Sequence, residues 1–352
     1  MTDTIPVFDG HNDVLLELES TGAADDAFAA GGIARGIDLP RARAGGLAAG
    51  IFALFAPSPG PPHRLDEVAL AGRGFDVAVA AGVEQDAALR HTRALIGRAR
   101  RLVAAADGAA AIVTSTGELD ACLDGGPFGL VLGLEGAEAV GPALDALDEL
   151  YDAGIRVIGP VWSRPNAFAH GVPFRYPGHP DTGPGLTAAG LALVRRANAL
   201  GVVLDLAHLN AAGVRDVARA SEAPLVVSHT GAHVLAPTAR NLTDEQLRLV
   251  GDSGGVVGVI FAVWDLEPGV PAEDKAGVAA VVRHVRHIAD VAGVEHVGLG
   301  SDFDGASMPS RLAHAGDLPV LLEALAEAGF TRDDVAAIAH GNWRRVLAAT
   351  WG

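Results

Sequence analysis

Eight short, almost uncharged runs recur along the chain with helix-patterned segments between them, and that alternation restricts the fold more than any other feature. The runs lie at residues 5–9, 49–55, 129–135, 155–162, 202–208, 224–229, 255–261 and 296–302. They are too short for ordinary helices, are mostly bounded by Gly or Pro, and lack the polar alternation of a strand with one wet face. Such runs predict parallel strands buried on both faces. Between them, helical spacing of apolar residues covers 65–106 (read as two helices joined near Gly82), 142–153, 187–200, 211–220 and 273–292. Strands returned by helices predict a closed (β/α)8 barrel of the TIM type with extra helices, rather than an open doubly wound sheet. No Gly-rich phosphate turn follows the first strand, which argues the same way. A last helical stretch, 318–351, is expected to pack outside the barrel, and residues 1–352 to form one domain.

Composition narrows function by exclusion. Of 352 residues, 49% are apolar and 20% charged, which suits a large core and not a disordered chain. With 26 basic against 43 acidic residues the net charge is −17, which argues against nucleic acid or an anionic membrane as partner. Cys122 is the lone cysteine, so no intrachain disulfide forms. The opening residues are neither basic nor long and apolar, and no unbroken apolar run spans a bilayer. The expectation is a cytoplasmic protein without a targeting segment.

The strand ends carry the chemistry. In Val7-Phe8-Asp9-Gly10-His11-Asn12-Asp13, a two-residue period puts His11 and Asp13 on one side, where imidazole and carboxylate can reach a single ion. A plain Asn/Asp/Gly turn with His11 capping a helix explains that motif equally well. The choice is made by Glu135, His208, His229 and Asp302, which end the third, fifth, sixth and eighth runs. In a barrel these six residues converge on the C-terminal face. Three histidines and three carboxylates exceed the set that one catalytic zinc takes. They suit two metals about 3.5–4 Å apart with a bridging carboxylate, for which Glu135 is the best candidate, and a bridging hydroxide as nucleophile. Asp205, inside a strand, is read as polar without function, and His63, His91, His284, His287 and His314 as surface residues.

Phe8-Asp-Gly-His-Asn-Asp-Val14, Gly133-Leu-Glu-Gly136, Leu206-Ala-His-Leu209, Val227-Ser-His-Thr230, Ala239-Arg-Asn-Leu242 and Gly298-Leu-Gly-Ser-Asp-Phe-Asp-Gly305 stand in order along the chain. Together with Gly45-Gly-Leu-Ala-Ala-Gly-Ile-Phe52 and Gly341-Asn-Trp-Arg-Arg-Val346, they resemble the membrane (renal) dipeptidase family, peptidase family M19, nearly end to end. The resemblance implies a zinc-dependent dipeptidase, commonly a homodimer, acting on dipeptides that include L-D ones. It implies one zinc on His11, Asp13 and Glu135 and a second on Glu135, His208 and His229. Asp302 would shuttle the proton, and Arg240 would hold the substrate carboxylate. One stretch departs from the family pattern of Thr-His-x-x-x-Asn: here it reads Val161-Trp-Ser-Arg-Pro-Asn166. Trp162 lacks the charge of the family histidine that polarises the scissile carbonyl, so Arg164 or His170 is expected to replace it. Trp162, Arg164 and Asn166 join Arg240 as expected substrate contacts. Rival readings are a related dinuclear amide, lactam or lactone hydrolase, and a metal-bearing biosynthetic or binding protein with weak peptidase activity.

Overall fold

The structure, a computed structural model, describes residues 5–33, 36–59, 74–79, 81–270 and 277–351. In chain order its strands are β1 (Val7–Asn12), β2 (Leu47–Phe55), β3 (Phe75–Val77), β4 (Ala110–Ile112), β5 (Phe128–Glu135), β6 (Ile155–Gly159), β7 (Phe174–Tyr176), β8 (Val203–Leu204), β9 (Val226–Thr230), β10 (Val256–Val259) and β11 (Val297–Leu299). Eight of them pair in parallel in the order β1-β2-β5-β6-β8-β9-β10-β11. Asp9 opposite Leu299 and the Asp205–Val226 bridge close the ring, so the chain is an α/β barrel of the TIM type. Each of the eight predicted runs supplies one barrel strand. β4 pairs with the first half of β5 while β6 takes the second half.

The two-residue period sorts the strand side chains into two apolar sets. Phe8, Ile51, Val131, Val157, Val203, Val226 and Val256 meet inside the ring, and Val7, Phe52, Leu132, Ile158, Leu204, Val227 and Val257 join the core shared with the outer helices. Trp343 completes the inner set. It is fully buried, its ring lies 5.5 Å from that of Phe8, and its indole N–H donates to the Leu299 carbonyl at 3.0 Å. Gly10 and Gly298 make room for it, since a Cβ at either would stand 2.3 or 2.4 Å from the indole. Of the segment 318–351, helix Leu318–Glu327 packs on the outer helix Val278–Ala292 as expected, and the expectation is corrected for its last part. Helix Asn342–Trp351 closes the base of the barrel, because its Trp343, Val346 and Leu347 fill what the strands leave open.

Other boundaries move for local reasons. Of the helix pair expected over 65–106, the second is described as Gln85–Ala105. Phe75–Val77 is instead a strand, antiparallel to β7, with Phe75 buried against Tyr176 and Trp264. Most of the first expected helix, 65–73, lies outside the described residues. Helix 142–153 shortens to Leu147–Asp152, after Leu144 at φ 61°. Helix 273–292 is described from Val278 to Ala292. β8 has two residues rather than seven, because Asp205 turns its side chain onto the Ala207 and Ser228 N–H groups and His208 adopts φ 66°. Helix Thr116–Leu123 is an addition to the expected elements; Ser115 caps it by accepting the Glu118 N–H, and the Glu118 carboxylate accepts the Thr114 N–H at 2.7 Å.

Candidate active site

At the C-terminal ends of the strands the chain repeatedly leaves the ladder to aim a polar group inward. In β1 a register shift between Asp9 and Asn12 changes which residues face the interior. Phe8 and Gly10 face Trp343 below, and His11 and Asp13 approach each other above it. Asp9 locks this bend by accepting the Ser301 N–H at 2.7 Å and its hydroxyl at 2.8 Å. His208 and Asp302 both stand in the left-handed backbone region, at φ 66° and 61°, a conformation that costs a non-glycine residue about 1–2 kcal/mol. Such strain persists where the surrounding packing holds a side chain for a purpose.

The six residues converge. Glu135 Oε1 lies 3.0 Å from His208 Nε2 and 3.9 Å from both His11 Nε2 and His229 Nε2. His11 Nε2 is 3.6 Å from Asp13 and 4.0 Å from Asp302. His208 and His229 meet through their Nε2 atoms at 3.2 Å. Two sets have ligand atoms mutually within 4.8 Å, namely His11, Glu135 and His229, and His11, Asp13 and Asp302.

The electrostatics fit a bound cation. Burial pushes Glu135 well up from the usual carboxylate range, with His11 opposing and Asp13 adding to the shift. Asp302 is likewise held well up by burial and by Asp13. Burial works against charge on His11, but Glu135, Asp13 and Asp302 outweigh it and raise its pKa. His208 and His229 are driven well down by burial, aided by Arg240 and His11, which leaves them as neutral imidazoles suited to ligation. His11 Nε2 is buried at the centre without a hydrogen-bond partner. Crowded carboxylates, neutral imidazoles and an orphaned nitrogen make a site with more acid than Arg240 balances. These His, Glu and Asp donors suit a divalent metal.

Above them lies a cavity of about 260 Å³. Its lining combines the polar Asp13, Glu135, Asp302, His208, His229 and Arg240 with the apolar Leu16, Phe55, Trp162, Phe174 and Trp264. Arg240 is buried, with Nε unpartnered and an Nη donating to the His229 carbonyl at 3.4 Å. Trp162 is wedged among Phe55, Phe174 and the His208 ring at 5.0, 5.4 and 5.7 Å.

Three expectations for this loop are corrected. Arg164 does not line the cavity: it is fully buried behind Trp162, bonded to Glu138 at 2.9 Å, Ser58 at 3.1 Å and the Ala56 carbonyl at 2.7 Å. Asn166 spends its amide on the Pro160 carbonyl and the Phe168 and Ala169 N–H groups, stapling its own loop. His170 opens on a different cleft, with Ser163 and His179. None of the three replaces the family histidine.

The sequence pattern did not disclose the residues behind the ligands. Ser163 Oγ lies 2.7 Å from His208 Nδ1, and Ser228 Oγ 2.7 Å from His229 Nδ1. The adjacent Ser228-His229 pair was the available signal. His284 is also corrected. It is 1% exposed on the inner face of its helix, accepts the Ala232 N–H at 2.9 Å and pairs with the Leu266 carbonyl at 3.1 Å. His63 lies outside the described residues.

Comparison with known proteins agrees with this geometry. The family model described as membrane dipeptidase (peptidase family M19) matches residues 1–351. A metallopeptidase from Rhodobacter sphaeroides, solved with a phosphinate mimic of the dipeptide L-Ala-D-Ala, is 42% identical, with TM-score 0.95 over 99% of this chain and 100% of its own. The structure of dipeptidase AC, an M19 metallopeptidase, is 41% identical, with TM-score 0.92 over the same shares, 99% and 100%. An uncharacterised protein of the pqqA 5′ region of Klebsiella pneumoniae is 38% identical over 252 residues, 72% of this chain and 93% of its own length. The chain belongs to the membrane dipeptidase family, peptidase family M19, and is a metallo-dipeptidase.

Proposed function

We propose that this dipeptidase works with two zinc ions, one held by His11, Asp13 and Glu135 and the other by Glu135, His208 and His229, and that its substrates include L-D dipeptides. The observation that carries the reading is the position of Glu135, whose carboxylate oxygen lies within 3.9 Å of three histidine nitrogens from three other strand ends. The inclusion of L-D dipeptides is supported by the R. sphaeroides relative, solved with the L-Ala-D-Ala mimic. When bound, the ions polarise the scissile carbonyl and lower the pKa of a water molecule.

The chain's own groups do the rest. Asp302, 4.0 Å from His11, is the group to accept a proton from the attacking water and return it to the leaving amine. Its raised pKa, caused first by burial, matches that dual task better than an ordinary aspartate would. Arg240 presents an unpartnered Nε for the terminal carboxylate of a dipeptide. The aromatic lining of Phe55, Trp162, Phe174 and Trp264 keeps water from the reacting bond. A homodimer is proposed from the family resemblance, and sedimentation measures it directly. The test of function is hydrolysis of an L-L and L-D dipeptide panel, beside a lactone and an N-acyl amino acid, with zinc measured on the same sample. Turnover of dipeptides in proportion to about two zinc ions per chain is expected. Faster turnover of the lactone than of every dipeptide would overturn the substrate assignment.

A further inference from the structure

We propose that Asp205, acting through the Ser228 hydroxyl, fixes the tautomer of His229 and thereby its strength as a metal ligand. The inference rests on reading His229 as a ligand. Asp205 Oδ1 accepts the backbone N–H of Ala207 at 3.0 Å and of Ser228 at 2.8 Å, and Oδ2 lies 2.5 Å from Ser228 Oγ. Ser228 Oγ in turn lies 2.7 Å from His229 Nδ1. The three side chains belong to residues only 6%, 0% and 1% exposed, so water does not compete for these bonds.

Counting protons gives the chain a direction. A carboxylate has none to give, so the single hydroxyl proton of Ser228 goes to Asp205. The Oγ lone pair is then left to accept Nδ1–H from His229. With its proton on Nδ1, the ring turns a bare Nε2 toward Glu135 and His208. That is the tautomer able to bind a metal through Nε2. His208 differs: among the described residues no carboxylate hydrogen-bonds Ser163, so its hydroxyl can turn either way.

The substitution D205N separates polarity from shape. The two backbone N–H groups still need an acceptor, so the amide oxygen stays with them and the NH2 group faces Ser228 Oγ. The Ser228 proton is then driven to His229 Nδ1, and the ring proton moves to Nε2, where it blocks the metal. S228A instead removes the relay and lets His229 take either tautomer. Zinc affinity should therefore fall in the order wild type, S228A, D205N, with D205N weaker than wild type by ~10–100-fold. The double variant D205N/S228A should bind more tightly than D205N alone.

The experiment is zinc competition against a chromophoric chelator on metal-stripped protein, with urea unfolding of each stripped variant and His229→Ala as reference. The expected result is the order given, with rescue in the double variant. Three results overturn the relay: D205N binding no more weakly than S228A, a double variant as weak as D205N, or a D205N chain that fails to unfold cooperatively where S228A does. The last would make Asp205 a residue of the fold alone. His229→Ala with unchanged zinc affinity would instead remove His229 from the ligand set, and so distinguishes failure of the site reading from failure of the relay.

Discussion

His284 gives the stability of this protein a calculable acid dependence. It is buried, it accepts the N–H of Ala232 just beyond the metal-site strand, and burial pushes its pKa down to about 4 from 6.5. A histidine depressed in the folded state contributes nothing above pH 6.5, where both states are neutral. As pH falls below 6.5 the unfolded chain takes up a proton that the folded one refuses, and stability is lost until about pH 4, where both are charged. The full loss is about 3 kcal/mol, since each tenfold difference in proton affinity between the two states is worth ~1.4 kcal/mol. Between pH 7 and pH 5 it amounts to about 2 kcal/mol. Other groups titrate in this range, metal ligands among them, so the measurement is a difference. Urea unfolding at both pH values in excess zinc, for wild type and His284→Gln, cancels what the two share. The wild type should lose about 2 kcal/mol more than the variant on acidification. Equal losses, within about 0.5 kcal/mol, would refute the claim that this ring is held neutral by burial.

Three further outcomes follow from the geometry. Asp302→Asn should lower kcat by ~10²–10⁴-fold while zinc content stays at the wild-type level, since proton transfer is lost and the proposed ligand set is kept; a loss of zinc in step with activity would make Asp302 a ligand. Arg240→Ala should raise KM and cut kcat/KM by about 10–100-fold, from a charge-assisted bond of ~1.5–3 kcal/mol, for free dipeptides but not for their C-terminal amides. An equal effect on both substrates would remove it from the carboxylate. Trp343→Ala should cost about 3–5 kcal/mol in urea unfolding, because the fully buried indole fills the space beside Phe8, Gly10 and Gly298. A cost under about 1.5 kcal/mol would show that the barrel base closes without it.

The barrel was legible because strands buried on both faces carry few charges, so the polar residues that end them stand out. His11, Glu135, His208, His229 and Asp302 were visible for that reason. What stayed hidden depends on neighbours that no short stretch of sequence reveals. Asp205 sits mid-run and was read as inert, yet the closure of β8 against β9 sets it beside Ser228. Arg164 belongs by position to the substrate loop, but Glu138 and the Ala56 carbonyl draw it behind the aromatic wall. His284 has the helical setting of a surface histidine, and only the packing of its helix turns it inward. Phe75–Val77 became a strand because a partner 99 residues later offered an edge, as in the Asp76–Arg175 pair.

Trp343 also bears on how the chain is made. The inner layer of the barrel takes residues from Phe8 onward, yet the indole that seals it is supplied only after the eighth barrel strand and the helices that follow. At about 5–20 residues per second, a ribosome needs roughly 20–70 s to travel from one to the other. The ring itself is complete only once Leu299 is made, so a closed ring with an open base can last only from Leu299 to Trp343, roughly 2–9 s at about 5–20 residues per second. A chain cut short before helix Asn342–Trp351 would therefore have every barrel strand and still lack the side chains that seal its inner layer.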